Sequence, residues 1–329
     1  MNRPDTALAG PEAMVSRATH ADEGYQQDVA DCCEVVSGRT GVDYIAHLTS
    51  GIWDFSVQLR DTGMRREQCD QAARRLNLVV ARIDEVAEQL DSGPIIRVVL
   101  QGNNGALFHM LKVAGQSFFG ATLAGARALV DQVDRQLAQL ADRAARRVGS
   151  PSLLWGGYRK RGESDEIWIP GGVPTGGFRV LPDSAAGRHA VTAEVARLCS
   201  AVLDRNTVHF VGIYRQGTLL WRADLFDDPA LAPLFQRVTP ANRRLGYDRL
   251  LHQVVMQAGR IMQLLSIVRS DHLIRLVLDV ARGAIYILPL GDQGHILVGV
   301  TLVQTQVEDA DRKMTTLHRN LTAEAFPPR

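Results

Sequence analysis

Apolar and polar residues alternate along the chain with periods typical of helices and strands, and one succession of elements occurs twice. The first half predicts a helix, two strands, a long helix, three strands and a helix over residues 28–36, 42–49, 52–60, 64–91, 95–100, 106–113, 117–123 and 125–148. The second half predicts the same order over residues 191–203, 208–215, 218–226, 241–268, 273–280, 284–290, 295–302 and 305–321.

The two halves also share residues at matching places. Both long helices open with a double arginine and an aspartate five positions after its first member: Arg65, Arg66 and Asp70 against Arg243, Arg244 and Asp248. The third strands read Ile-Ile-Arg-Val-Val-Leu at 95–100 and Leu-Ile-Arg-Leu-Val-Leu at 273–278, and the fifth strands end at Gly120–Leu123 and Gly299–Leu302. Agreement in order and spacing predicts an internal duplication.

The predicted fold class is α+β. Each copy should form a five-stranded antiparallel sheet with its long helix on one face and its terminal helices on the other. The nearly continuous apolar run of the third strand fits a sheet covered on both faces. We predict a loose arm over 1–22, a first domain over 23–148, a linker over 149–189, a second domain over 190–322 and a tail over 323–329.

Composition indicates a globular protein, with 46% hydrophobic and 22% charged residues. The net charge of +1 provides no general attraction to nucleic acid or anionic lipid. The four cysteines lack metal-ligand spacing and read as core residues of a reducing compartment. The sequence shows neither a signal peptide nor an apolar run long enough to span a membrane, so we expect a cytoplasmic protein without membrane insertion.

The element order, together with the turn Leu290–Asp292 and the strand His295–Leu302 that follows it, resembles the roadblock family (dynein light chain roadblock type, MglB-like). The resemblance covers roughly residues 23–148 and 190–322. It implies dimerisation through sheet edges and second helices, so that a tandem pair forms an intramolecular pseudo-dimer. It further implies a bacterial small Ras-like GTPase as partner, bound through the paired second helices.

Catalytic motifs are missing from the sequence. There is no GxxxxGK[ST] loop and no HExxH among the nine histidines, so we expect neither an enzyme nor a bound metal or cofactor. Trp155, Tyr158 and Trp168 accompany the basic run 159–161 in the linker. Without a basic stripe elsewhere, this segment indicates a packed linker or a docking segment and not a nucleic-acid site.

Polar residues along the long helices are the candidate partner contacts, because arginine suits acidic protein surfaces. These candidates are Arg65, Arg66, Gln68, Arg243, Arg244, Arg249, His252, Gln253 and Arg260.

We therefore expect a non-enzymatic adaptor or regulator of a small Ras-like GTPase, as a scaffold or as a GTPase activator, with further self-association open. Two alternatives remain at this stage. One is a small-molecule sensor module of the GAF or PAS type, which would need a roomy cavity between sheet and helices. The other is a structural dimerisation platform in a larger assembly.

Overall fold

The computed structural model describes residues 13–21, 23–38, 40–60, 62–158, 181–182 and 191–326. These residues form two compact units, and neither unit is a contiguous half of the sequence. The first unit runs to Arg82 and adds Ile96–Gly156 and Gln257–Ile274. The second contains Ile83–Ile95, the described part of Gly157–Met256, and the chain from Arg275. Each unit therefore includes a segment from the other half of the sequence.

The first unit is an antiparallel sheet with helices on both faces. Its elements are β1 (Ala13–Arg17), α1 (Gln26–Ser37), β2 (Tyr44–Thr49), β3 (Ile52–Leu59), α2 (Arg66–Ala87), β4 (Ile95–Gly102), β5 (Ala106–Val113), β6 (Gln116–Thr122) and α3 (Arg127–Arg147), although α2 from Ile83 onward and the first residue of β4 belong to the second unit. The strand order is β1-β3-β2-β6-β5-β4. The hairpin between β2 and β3 turns at Ser50 and Gly51, which both have positive φ, as a two-residue type I′ turn requires.

Alternation along β2 shows which helix covers which face of this sheet. His47 packs its ring against Tyr25, directly before α1, and α1 contacts α3. Tyr44, three positions earlier on the strand, donates its hydroxyl hydrogen to Asp70 of α2. Thus α1 and α3 share one face, and α2 covers the other.

The second unit has the same strand order. Its elements are β7 (Leu181–Pro182), α4 (Ala193–Ala201), β8 (Phe210–Arg215), β9 (Thr218–Asp224), α5 (Pro240–Met256), α6 (Ala258–Leu265), β10 (Leu273–Val280), β11 (Gly283–Leu290), β12 (His295–Thr301) and α7 (Val307–Glu324), although α6 packs in the first unit. The sheet runs β10-β11-β12-β8-β9-β7, again antiparallel. The predicted α+β class with antiparallel sheets is confirmed.

A buried arginine anchors the last helix of each unit to its sheet. Arg97 on β4 pairs with Asp134 of α3, and Arg275 on β10 pairs with Asp311 of α7 at 2.7 Å. Both arginines occupy the third position of the matching strand motifs, and both are almost fully buried. The ion pair explains why a charged residue interrupts these two apolar strands.

The segment Gln257–Ile274 is held in the first unit by the turn between β4 and β5. The backbone N–H of Asn104 donates to Ser270 Oγ at 3.0 Å, and the Asn104 side chain donates to the Arg269 carbonyl at 2.8 Å. The backbone N–H of Asp271 donates to Asn103 Oδ1 at 3.2 Å. These polar contacts fix the segment that follows the second long helix.

The segment Ile83–Ile95 is held in the second unit by the turn between β10 and β11. The Ala281 N–H donates to the Pro94 carbonyl and the Arg282 N–H to the Ser92 carbonyl, both at 3.0 Å. Like Arg269 in the other segment, Asp91 has a positive φ, and its carboxylate lies 3.2 Å from Arg282. The two exchanged segments thus contain the ends of the two long helical regions, and in each the chain leaves the helix at a residue with positive φ.

Two elements differ from the sequence prediction. Residues 13–17, assigned to a loose arm, form β1 and pair with β3, because Ala13 and Val15 are buried there. The helix expected over 241–268 breaks at Gln257, whose φ of −90° and ψ of −2° depart from ideal helical values. Gly259, two positions later, contributes to the break because glycine is a poor helix former. Most of the predicted linker lies outside the described residues.

Candidate functional site

The start of α2 presents the first group of predicted contact residues. Arg65 and Gln68 are exposed. Arg66 is partly covered, because its side chain donates to Ser16 Oγ at 2.6 Å and lies 4.0 Å from Asp70. Arg65 and Gln68 are therefore free to contact a partner, whereas Arg66 also holds β1.

Arg243 and Arg244 are buried, and this corrects the expectation that they form a contact surface. Arg243 donates to the Leu90 carbonyl at 2.7 and 3.2 Å and lies over the ring of Phe235. Arg244 binds both carboxylate oxygens of Asp224, at 2.5 and 2.8 Å. Such contacts leave both guanidinium groups inside the second unit.

A third carboxylate contact strengthens the position of Arg244. Its Nη2 also donates to Asp227 at 2.8 Å. Burial disfavours the charged form, but the hydrogen bonds to Asp224 and Asp227 outweigh it and raise the pKa of Arg244 above its usual value. The arginine is thus a permanently charged structural residue.

The equivalent arginine of the first half lacks this buried acid. In the ungapped match of the two first hairpins, Gln58 stands where the second half has Asp224. The Gln58 amide nitrogen donates to the Met64 carbonyl at 2.9 Å and to Thr62, and this neutral side chain offers no carboxylate to an arginine. Arg66 is consequently left at the unit surface, which the matching Arg-Arg pairs in the sequence do not reveal.

The exposed face of α5 carries the next two predicted residues. Arg249 and His252 are exposed, and they lie between Leu245, 55% exposed, and Met256, 66% exposed. Successive members of this series are three or four positions apart, so they share one side of the helix over about 16 Å. We call Leu245, Arg249, His252 and Met256 the α5 face.

The α5 face is apolar and basic, with no acidic residue among its four members. The nearby Asp248 is engaged inward, since it accepts from Tyr214 at 2.8 Å and lies 3.4 Å from Arg222. Leu245 and Met256, at the two ends of the α5 face, are the apolar side chains that this face offers for burial by another molecule. The opposite side of α5 is buried through Tyr247, Leu250, Leu251 and Val254.

The remaining predicted residues lie near the end of α5 and on α6. Gln253 is half-buried, at the margin of the α5 face. Arg260 is exposed on α6, in the first unit, and donates to Gln257 Oε1 at 2.6 Å. The structure thus assigns Arg249 and His252 to one face but not the whole predicted set.

Sequence reasoning missed Leu245 and Met256. The signal was present, because neither residue falls on the apolar stripe of Leu251, Val254 and Ile261 that faces the core. A large apolar residue outside such a stripe indicates an exposed apolar position.

Two groups of buried titratable side chains elsewhere are paired internally. Asp54 accepts from Thr49 and contacts His47, both at 2.8 Å, and Lys112 donates to Asp28 at 2.6 Å. Over the described ranges, no group of three or more histidines, cysteines and acids is placed to hold a metal ion. Within the same ranges, no helix has the length and apolar character needed to cross a membrane.

Comparison with known proteins gives a likeness to solved structures alone. No family model and no curated protein matches the chain. Among solved structures, the gliding protein MglB from Thermus thermophilus is similar over 43% of this chain and 95% of its own, with 15% sequence identity and a TM-score of 0.30. That TM-score is too low to establish a shared fold.

Proposed function

We propose that this protein is a non-enzymatic adaptor or regulator that binds a small Ras-like GTPase through the exposed sides of its long second helices. The α5 face carries the proposal. Its two exposed apolar side chains supply area for burial, and Arg249 and His252 supply hydrogen-bond donors for polar groups of the partner. Arg65 and Gln68 are the corresponding polar contacts offered by α2.

Two roadblock-like copies, over 23–148 and 190–322, are part of this proposal. Support comes from the common strand order of the two units and from a β-bulge at matching places, after His47 and after Ile213. The paired Arg97 and Arg275 add a third shared feature. An intramolecular pseudo-dimer follows from the roadblock resemblance of the sequence, as does the GTPase as partner class.

The alternative sensor role has less support. A groove in the first unit lies between α2 and α6, not between a sheet and its helices, where such a module would hold its ligand. A structural platform uses the same α5 face but has a partner without GTPase activity, so the partner's chemistry separates the two roles.

The test uses the full-length protein and small Ras-like GTPases of the source cell, each loaded with GDP or with a GTP analogue. We expect direct binding of one GTPase, weakened by Arg65→Glu together with Arg249→Glu. Hydrolysis of GTP by that GTPase is then followed with and without the protein. Faster turnover identifies an activator, and unchanged turnover with retained binding identifies a scaffold. Binding to none of the GTPases in either state would refute the proposed partner class.

A further inference from the structure

A basic groove lies in the first unit and shares no residue with the α5 face. It encloses about 340 Å³ between α2 and α6 and is lined by Arg75, Leu78, Val79, Arg82, Arg260 and Gln263. Val79 forms a buried floor, while Leu78 is 61% exposed beside it. Three guanidinium groups therefore surround an apolar patch, and none of the six lining residues is acidic.

The three arginines of this groove have no acidic partner among the described residues. Arg75 and Arg82 have neither an ion pair nor a hydrogen bond to any described residue, and Arg260 donates only to the neutral amide oxygen of Gln257. Arginine that is not engaged within its own fold keeps its planar donors available for a carboxylate. The groove thus favours an anionic group.

The spacing of the arginines specifies the geometry of the ligand. Arg75 and Arg82 are seven positions apart on α2, which corresponds to two helical turns and about 10 Å along the axis. Leu78 lies between them on the same side of the helix. A complementary segment needs two carboxylates about 10 Å apart with an apolar side chain between them. One side of a helix provides this arrangement, with carboxylates at positions i and i+7 and the apolar side chain at i+3 or i+4.

We propose that this groove binds an acidic helical segment of a protein partner, in which one apolar side chain is flanked by two carboxylates. The apolar floor favours a peptide over a nucleic acid, because recognition of a phosphate backbone uses a longer basic stripe. The net charge of +1 for the whole chain agrees with a local anion site and not with a general polyanion surface. The groove shares none of the four residues of the α5 face, and its test uses a synthetic peptide, so failure of this site and failure of the proposed GTPase binding are distinguishable.

The test uses the full-length protein and a fluorescent, helix-favouring synthetic peptide that carries two glutamates seven positions apart around a central leucine. We expect saturable binding by fluorescence anisotropy that weakens as salt is raised. Arg82→Glu and Arg260→Glu should each reduce affinity about tenfold or more, because each replaces a charge-assisted hydrogen bond by repulsion. Arg74→Glu is the matched control, since Arg74 is exposed on the same helix but does not line the groove.

The three variants distinguish a specific site from general charge attraction. Loss of binding in both groove variants with retention in Arg74→Glu supports the site, provided that all three variants keep the wild-type melting temperature. Equal loss in Arg74→Glu would show general charge attraction and overturn the site. A peptide with serine in place of the central leucine should bind more weakly, and unchanged affinity would contradict the role of the apolar floor. Tighter binding of a short RNA of equal charge would overturn the choice of an acidic peptide, and so would no binding of the peptide at all.

Discussion

Replacing Arg244 by methionine tests whether this residue holds the second unit together. The substitution keeps a long side chain but leaves Asp224, whose side chain is 1% exposed, without its bidentate partner. Removing one member of a buried ion pair costs about 3–5 kcal/mol, because the remaining charge stays buried and unpaired. That loss is a large part of the roughly 5–15 kcal/mol by which domains are stable.

A compensating change distinguishes the lost ion pair from lost packing. Adding Asp224→Leu to Arg244→Met removes the orphaned charge, and replacing both members of a buried pair is often close to neutral. The backbone N–H of Phe226, which donates to Asp224 Oδ1 at 3.1 Å, then loses its acceptor. We therefore expect the double variant to recover most of the stability and to remain about 1 kcal/mol below the wild type.

Arg66→Met is the matched control, because Arg66 occupies the equivalent place in the first half with 39% of its side chain exposed. Its loss should cost no more than about 1 kcal/mol. The assay is equilibrium urea unfolding followed by circular dichroism for the four proteins. If Arg244→Met costs no more than Arg66→Met, Arg244 does not hold the second unit together, and it becomes a candidate partner contact again.

Three further predictions concern stability and assembly. His209 accepts the Leu302 N–H at Nδ1 and contacts the Arg205 carbonyl at Nε2, and burial lowers its pKa to about 4 from 6.5. Between these two pH values the unfolded chain binds a proton at this histidine that the folded protein does not bind, so the free energy of unfolding should fall as the pH drops below 6.5. The loss from this residue should reach about 3 kcal/mol at pH 4. A melting temperature that does not change from pH 7 to pH 4.5 would contradict this prediction. Arg97→Met should destabilise the protein by about 3–5 kcal/mol and Arg97→Met with Asp134→Leu by much less, as measured by urea unfolding; equal losses would rule out the ion pair as the cause. When residues 1–158 and 191–329 are produced separately, neither fragment should form a stable monomer, because each unit needs a segment that the other fragment carries. Mixing the two fragments should restore the folded structure. A soluble, folded monomer of either fragment would refute this expectation.

The hydrophobic pattern predicted most of the fold because the strands and helices are amphipathic or fully apolar over their whole length. The strand at Leu273–Val280 was predicted with its observed bounds, and the hairpin turns were indicated by Ser50-Gly51 and Gln216-Gly217. β1 was missed because its five residues lie in a stretch rich in polar and turn-forming residues, and its partner β3 is distant in sequence.

The exchanged segments could not be predicted, since no local pattern records which part of the chain a turn contacts. The hydrogen bond between Asn104 and Ser270 joins residues 166 positions apart. For the same reason, Arg243 and Arg244 were predicted to be exposed: the sequence shows an arginine pair, but Leu90 and Asp224, which accept their hydrogen bonds, are brought to them only by the fold.

The most direct test of the α5 face as a partner surface is a binding titration between the full-length protein and the proposed GTPase, with Leu245→Glu and Met256→Glu combined. Each side chain should contribute about 1 kcal/mol or more when its exposed part is buried by a partner, so the double variant should bind about thirtyfold more weakly or worse. Leu129→Glu is the control, because Leu129 is 47% exposed on α3, outside the α5 face. Loss of affinity in the double variant alone is the predicted result. Unchanged affinity, with the variant folded, would contradict the claim that the exposed face of α5 binds the partner.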